Sequence, residues 1–98
     1  MPVFAVEVKF VDDPPLVDGA RPHHRQYIDD LSQKGLVCLA GPWADGRGGL
    51  IIYDSPDRAT LDDLLRDDPY AQRGAIAETR VHEWKAVLGT LSGALPAT

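Results

Sequence analysis

Val3-Phe-Ala-Val-Glu-Val-Lys-Phe10 and His24-Arg-Gln-Tyr-Ile-Asp-Asp-Leu31 decide the fold, because the apolar residues change period between them. In the first stretch Phe4, Val6, Val8 and Phe10 share one face, and Val3, Ala5, Glu7 and Lys9 share the other, the two-residue repeat of a strand. In the second, His24, Tyr27, Ile28 and Leu31 stand at i, i+3, i+4 and i+7, one stripe of a helix. Asp12-Asp13-Pro14-Pro15 ends the strand, since proline cannot donate to a ladder and restricts its predecessor. Lys34 suits a helix C-terminus and Gly35 a left-handed cap, so the spacing predicts a helix from about Pro22 to Lys34, with His24 near its start.

Outward from this pair the elements alternate. Leu36 to Ala40 is a short apolar run, followed by Gly41-Pro42 and Trp43. The turn signal Asp45-Gly46-Arg47-Gly48-Gly49 then leads into Leu50-Ile51-Ile52-Tyr53, which makes an antiparallel hairpin. Ser55-Pro56 reads as an N-cap followed by a first-turn proline, and Ala59, Leu61, Leu64 and Leu65 form a second amphipathic helix. Asp68-Pro69 ends that helix, Tyr70 to Gly74 supplies one more turn, and Ala77 to Val87 reads as the last strand. Residues 91–98 form a Gly-, Ala-, Ser- and Pro-rich tail. The order is βαββαβ, an α+β ferredoxin-like fold whose four-stranded antiparallel sheet carries both helices on one face. Val3, Ala5 and the two hairpin strands put apolar groups on the other face as well, and an apolar sheet face needs a cover. A homodimer with its two sheets face to face is therefore expected.

At 98 residues the chain makes a single domain, 1–98, and its 44% apolar and 26% charged residues are those of an ordinary globular protein. The formal charge of −5 and the paired aspartates disfavour a polyanion partner, so no nucleic acid is expected. No run approaches the ~20 apolar residues of a membrane span, and no basic leader opens the chain. A membrane partner is therefore not expected, and the cytoplasm is the expected compartment. The one cysteine, Cys38, lies in an apolar run and reads as a small buried hydrophobe.

His24 is the polar member of an otherwise apolar stripe, which places its ring at the edge of the core. Imidazole gives or takes a proton near neutral pH, so the residue reads either as an acid–base group or as a half-buried histidine bonded to backbone. Asp68, held extended by Pro69, reads either as a carboxylate that orients an imidazole or as an ordinary capping aspartate. Gly41-Pro42 suits a close ligand approach or a bulge, and Trp43 and Trp84 suit pocket walls or core packing. The three histidines lack metal-ligand spacing, so no metal is expected, and the Gly-rich loop lacks a phosphate-binding context.

Four of these motifs together resemble one family. Arg21-Pro22-His23-His24 is similar to the Arg-x-x-His motif of YciI-like (YCII-related) proteins, and Ala40-Gly41-Pro42 to their Ala-Gly-Pro. Asp68-Pro69-Tyr70 with Gly74 resembles their Asp-Pro-Tyr/Phe…Gly segment, and Val81-His82-Glu83-Trp84 their closing strand. The resemblance implies a dimeric α/β-barrel built on the ferredoxin-like fold, with a His–Asp pair at His24 and Asp68. Small proteins of this fold include muconolactone isomerases and a dehydrochlorinase of chlorinated aromatic breakdown. The function expected is therefore cofactor-free lyase or isomerase chemistry on a small cyclic or aromatic acid. In that reading His24 is the acid/base and Asp68 its partner, Arg21 holds a carboxylate, Gly41 and Pro42 admit the ligand, and Trp43 or Tyr70 lines the site. The alternative is a non-catalytic ligand-binding or accessory dimeric module.

Overall fold

Asp13 caps a helix: its carboxylate accepts the Leu16 N–H at 3.3 Å, and Pro14 and Pro15 occupy the first two helical positions. Proline fits there because first-turn N–H groups have no intrahelical acceptor. In the computed structural model, which describes residues 1–96, the first helix, α1, therefore spans Pro14–Gln33 and contains Pro22. The expected start at Pro22 is corrected, and His24 lies in the interior of the helix, not at its opening. The added turns are held by Val17 and Ala20, which are buried against Tyr70 and Ala75. At the other end Gly35 takes φ +77, and Leu36 N–H donates to the Leu31 carbonyl at 2.9 Å, closing the helix as anticipated.

The strands are β1 (Val3–Phe10), β2 (Val37–Pro42), β3 (Gly48–Asp54) and β4 (Ile76–Glu83), paired antiparallel in the order β2-β3-β1-β4. This is the ferredoxin-like order expected from the alternation of periods. Phe4, Val6 and Val8 of β1 meet Ile51 and Tyr53 of β3 and Ile28 and Leu31 of α1 in the main core. The second long helix, α2, spans Arg58–Asp67 and adds Leu61. Its N-cap is Asp57, whose carboxylate accepts the Thr60 N–H at 2.7 Å. The expected cap, Ser55, is instead fully buried and donates to the Asp57 carbonyl at 3.0 Å. A single turn, α3 (Pro69–Gln72), follows, and Gly74 at φ +73 ends it.

Cys38 is exposed, against expectation. The β2–β3 register shifts between Val37 and Leu39, so Cys38 is the extra residue of a bulge on an edge strand and leaves the core face. Gly41 and Pro42 pair in continuous register with Leu50 and Gly49, so no bulge falls there. Pro42 sits at the end of the same edge strand, where its missing N–H costs no ladder bond. Of the tail, Ser92–Ala94 forms a 3-10 turn, and residues 97–98 lie outside the described residues.

Tyr53 is fully buried, and its hydroxyl has no hydrogen-bond partner among the described residues. Burial, with the Asp68 carboxylate nearby, pushes its pKa up. An unpaired buried hydroxyl costs more than it contributes. Tyr53→Phe is therefore expected to leave stability unchanged or raise it by up to about 1 kcal/mol, read from urea unfolding midpoints.

Candidate active site

Asp68 ends α2 and begins α3, and Pro69 holds its backbone extended at φ −62, ψ 129. Its side chain turns back so that Oδ1 accepts the Tyr70 N–H at 2.9 Å. The same carboxylate faces α1, where His24 Nδ1 lies 2.9 Å from Oδ1 and 3.0 Å from Oδ2. One carboxylate has enough lone pairs for both the cap and the contact with the ring. Both side chains are largely withdrawn from solvent, 15% exposed for His24 and 5% for Asp68.

A carboxylate oxygen accepts, so the contact suits an Nδ1–H donor and leaves Nε2 as the ring nitrogen not engaged by Asp68. Tyr70 fixes the ring from below: the two rings stack with centroids 4.1 Å apart and planes inclined by 24°. Phe10 packs against Tyr70 with ring centroids 4.8 Å apart. Tyr70 is itself buried, so it backs the histidine more than it lines an open surface. Burial pushes its hydroxyl's pKa up, while the facing Arg21 guanidinium pulls it down. Tyr27 lies one helical turn from His24, donates to the Leu64 carbonyl at 2.7 Å and has its pKa pushed up to about 12, by burial first and then by the Asp67 and Asp68 carboxylates.

A cavity of about 670 Å³ opens between α1 and the β2–β3 hairpin. The seven residues to which the sequence assigns catalytic or binding roles border it: Arg21, His24, Gly41, Pro42, Trp43, Asp68 and Tyr70. The space exists because the sheet is thin-skinned there. Ala40, Gly41, Gly48 and Gly49 bring backbone, not bulk, to the floor. Gly48 and Gly49 cannot carry more, since a Cβ would stand 1.9 Å from the Val8 carbonyl oxygen or 2.6 Å from that of Gly41. Gly41 differs, for a Cβ there would meet nothing within 4 Å. Trp43, 40% exposed, forms the hairpin wall and is anchored through its backbone to Gly48 and Gly46, each at 2.9 Å.

Arg25, Ile28, Asp29 and Ser32 also border the cavity and were not singled out from sequence. Their signal was the helical period itself, since they continue the Arg21–His24 line down α1. Trp84 lies outside the cavity lining. His23 is exposed, and His82 bonds Glu7 at 3.2 Å on the sheet, so neither joins His24. Among the described residues no group of three or more His, Cys, Asp or Glu side chains is placed to hold a metal.

Comparison with known families places the YCII-related domain on residues 4–85, a span that contains His24, Asp68 and the hairpin between them. The chain belongs to the YCII-related family. Among solved structures, this YCII-related chain is similar to the 5-chloro-2-hydroxyhydroquinone dehydrochlorinase of Burkholderia phenoliruptrix AC1100 in complex with 2,5-dihydroxybenzoquinone. The likeness has a TM-score of 0.78 at 20% identity and covers 87% of this chain and 95% of that one. At that identity it establishes the shared fold. No curated protein matches the YCII-related chain.

Proposed function

We propose that this chain is a small-molecule enzyme of lyase or isomerase type, with His24 as general base and acid and Asp68 as the group that orients it. The observation that carries the reading is the double contact of His24 Nδ1 with Asp68, at 2.9 and 3.0 Å, on the wall of a ligand-sized cavity. Nε2 would take a proton from a ligand carbon or hydroxyl. In an elimination the C–H electron pair becomes the new double bond and the leaving group departs with its own pair as an anion. In an isomerisation the same proton returns at a different carbon. The imidazolium formed midway is stabilised by the carboxylate at Nδ1 and the face of Tyr70.

A small cyclic or aromatic acid suits the cavity's size and mixed lining. The dihydroxybenzoquinone bound by the dehydrochlorinase of like fold points the same way. The test is a turnover assay on a panel of hydroxylated and halogenated cyclic substrates, followed by chromatography and halide release, with His24→Ala as control. Turnover in the natural chain that is lost in the variant supports the reading; full activity in the variant ends it. Ligand binding without turnover of any panel member favours a non-catalytic binding module instead.

We also propose that the chain works as a homodimer, in the cytoplasm, with neither nucleic acid nor membrane as partner. Leu39 on the sheet face away from the helices is 61% exposed, and Val87, Leu88 and Leu91 are exposed beyond β4. Apolar surface of this kind calls for a cover. The exposed free thiol of Cys38 suits a reducing compartment, and no described helix is long and apolar enough to cross a membrane. Light scattering should give twice the monomer mass for the natural chain and the monomer mass for Leu39→Glu. A natural chain that runs as a monomer at micromolar concentration would overturn the dimer.

A further inference from the structure

Seven arginines are present in the chain, and four are committed to carboxylates: Arg21 to Asp18, Arg58 to Asp62, Arg66 to Asp63 and Arg80 to Glu78. Arg21 Nη1 lies 2.7 Å from Asp18 Oδ1, and its guanidinium acts electrostatically on the Tyr70 hydroxyl. Arg25 forms no ion pair among the described residues, yet it borders the cavity and acts electrostatically on the Tyr70 hydroxyl. The nearest carboxylate along the helix, Asp29, instead accepts from Gln33 Nε2 at 2.9 Å.

We propose that Arg25, not Arg21, receives the anionic group of the ligand, and that the ligand is a planar monoanionic acid. The proposal rests on the reading of the cavity as a ligand site, though not on any reaction there. Arg21 already directs Nη1 to Asp18, so a carboxylate arriving at that guanidinium would have to share it with one already in place. An unpaired one gains a two-pronged, charge-assisted contact at little rearrangement. Arg25 and His24 both border the cavity, so an acid seated on the Arg25 guanidinium shares that space with the His24 ring. The exposed face of Trp43 on the hairpin side supplies a flat apolar wall for that ring. Among the described residues that border the cavity, Arg25 is the one cation without an ion pair, and a second carboxylate on the ligand would meet Asp29.

Arg21 then has a different task. Held by Asp18, it sets its charge beside the Tyr70 hydroxyl, and Tyr70 in turn backs the stacked His24 ring. Arg21 is a positioning residue in this arrangement.

Calorimetric titration at low ionic strength with 2-hydroxybenzoate and its neutral analogue 2-hydroxybenzamide tests the assignment. The natural chain should bind the acid more tightly than the amide by about tenfold or more. Arg25→Gln should weaken the acid by about that factor and leave the amide unchanged, and Arg25→Lys should restore part of the difference. Arg21→Gln should keep the preference for the acid. An acid-to-amide ratio unmoved by Arg25→Gln, or no binding of the acid to the natural chain, overturns the proposal. The two readings fail separately: loss of the acid preference in Arg25→Gln with full turnover in His24→Ala keeps the anion site and removes the acid–base role.

Discussion

Replacing His24 by alanine is expected to lower turnover by about 10²–10⁴-fold, the usual contribution of a positioned acid–base group, with the fold intact. The fold survives because position 24 is interior to a 20-residue helix, where alanine is the best-tolerated residue, and because Asp68 keeps its bond to the Tyr70 N–H. Asp68→Asn should be as damaging to the chemistry and as mild for the structure. The asparagine oxygen can still cap α3, but its NH₂ group competes to face Nδ1, and a ring that accepts at Nδ1 carries its proton on Nε2. The base then has no lone pair to offer; the same exchange in a Ser–His–Asp triad costs about 10⁴-fold. Asp68→Ala is a different experiment, because it also leaves the Tyr70 N–H unpaired in a buried site, at about 1–3 kcal/mol. Steady-state rates with far-UV circular dichroism on the same samples separate these cases. Rates within threefold of the natural chain for both His24→Ala and Asp68→Asn would remove the pair from the mechanism.

The largest effect on stability is expected from Gly48→Ala. The new methyl group would stand 1.9 Å from the Val8 carbonyl oxygen, 2.9 Å from its carbon and 3.1 Å from the Lys9 Cα. All three are backbone atoms of the paired strand, so no side-chain rotation relieves the clash, and β1 and β3 must part where Lys9 opposes Gly48. Overpacking of well-packed sites costs about 1–3 kcal/mol, and a backbone clash belongs at or above the top of that range. Out of a total of about 5–15 kcal/mol for a small domain, that is a large fall in the urea midpoint. Gly41→Ala is the matched control, since its Cβ meets nothing within 4 Å and its stability should move by less than about 0.5 kcal/mol. Equal midpoints for the two variants would contradict this account of the hairpin.

Several features were legible because they are written in adjacent residues. The alternation of β1, the Gly35 cap, the extended Asp68 before Pro69 and the stop at Gly74 all follow from backbone constraints within a few positions. The order of strands and helices follows from these, and with it the ferredoxin-like sheet. Where a local signal is two-valued, only packing decides between its outcomes. Pro14-Pro15 can end a strand or start a helix, and only the burial of Val17 and Ala20 on Tyr70 and Ala75 selects the second, lengthening α1 by roughly two turns. Cys38 sits in an apolar run, yet a bulge on an edge strand turns it out. Ser55 and Asp57 are both good caps, and the geometry of the chain entering α2 selects Asp57.

The same division runs through the site. From its sequence alone the chain determined that His24 interrupts an apolar stripe and that Asp68 is held in a tight turn, because helical period and proline stereochemistry are local. Only the tertiary structure decided that these two meet, 44 residues apart, with Tyr70 stacked beneath the ring and Arg21 paired with Asp18 while Arg25 has no ion pair among the described residues. Those are facts of how α1 docks on α3, and docking is set by long-range burial that no short stretch of residues contains.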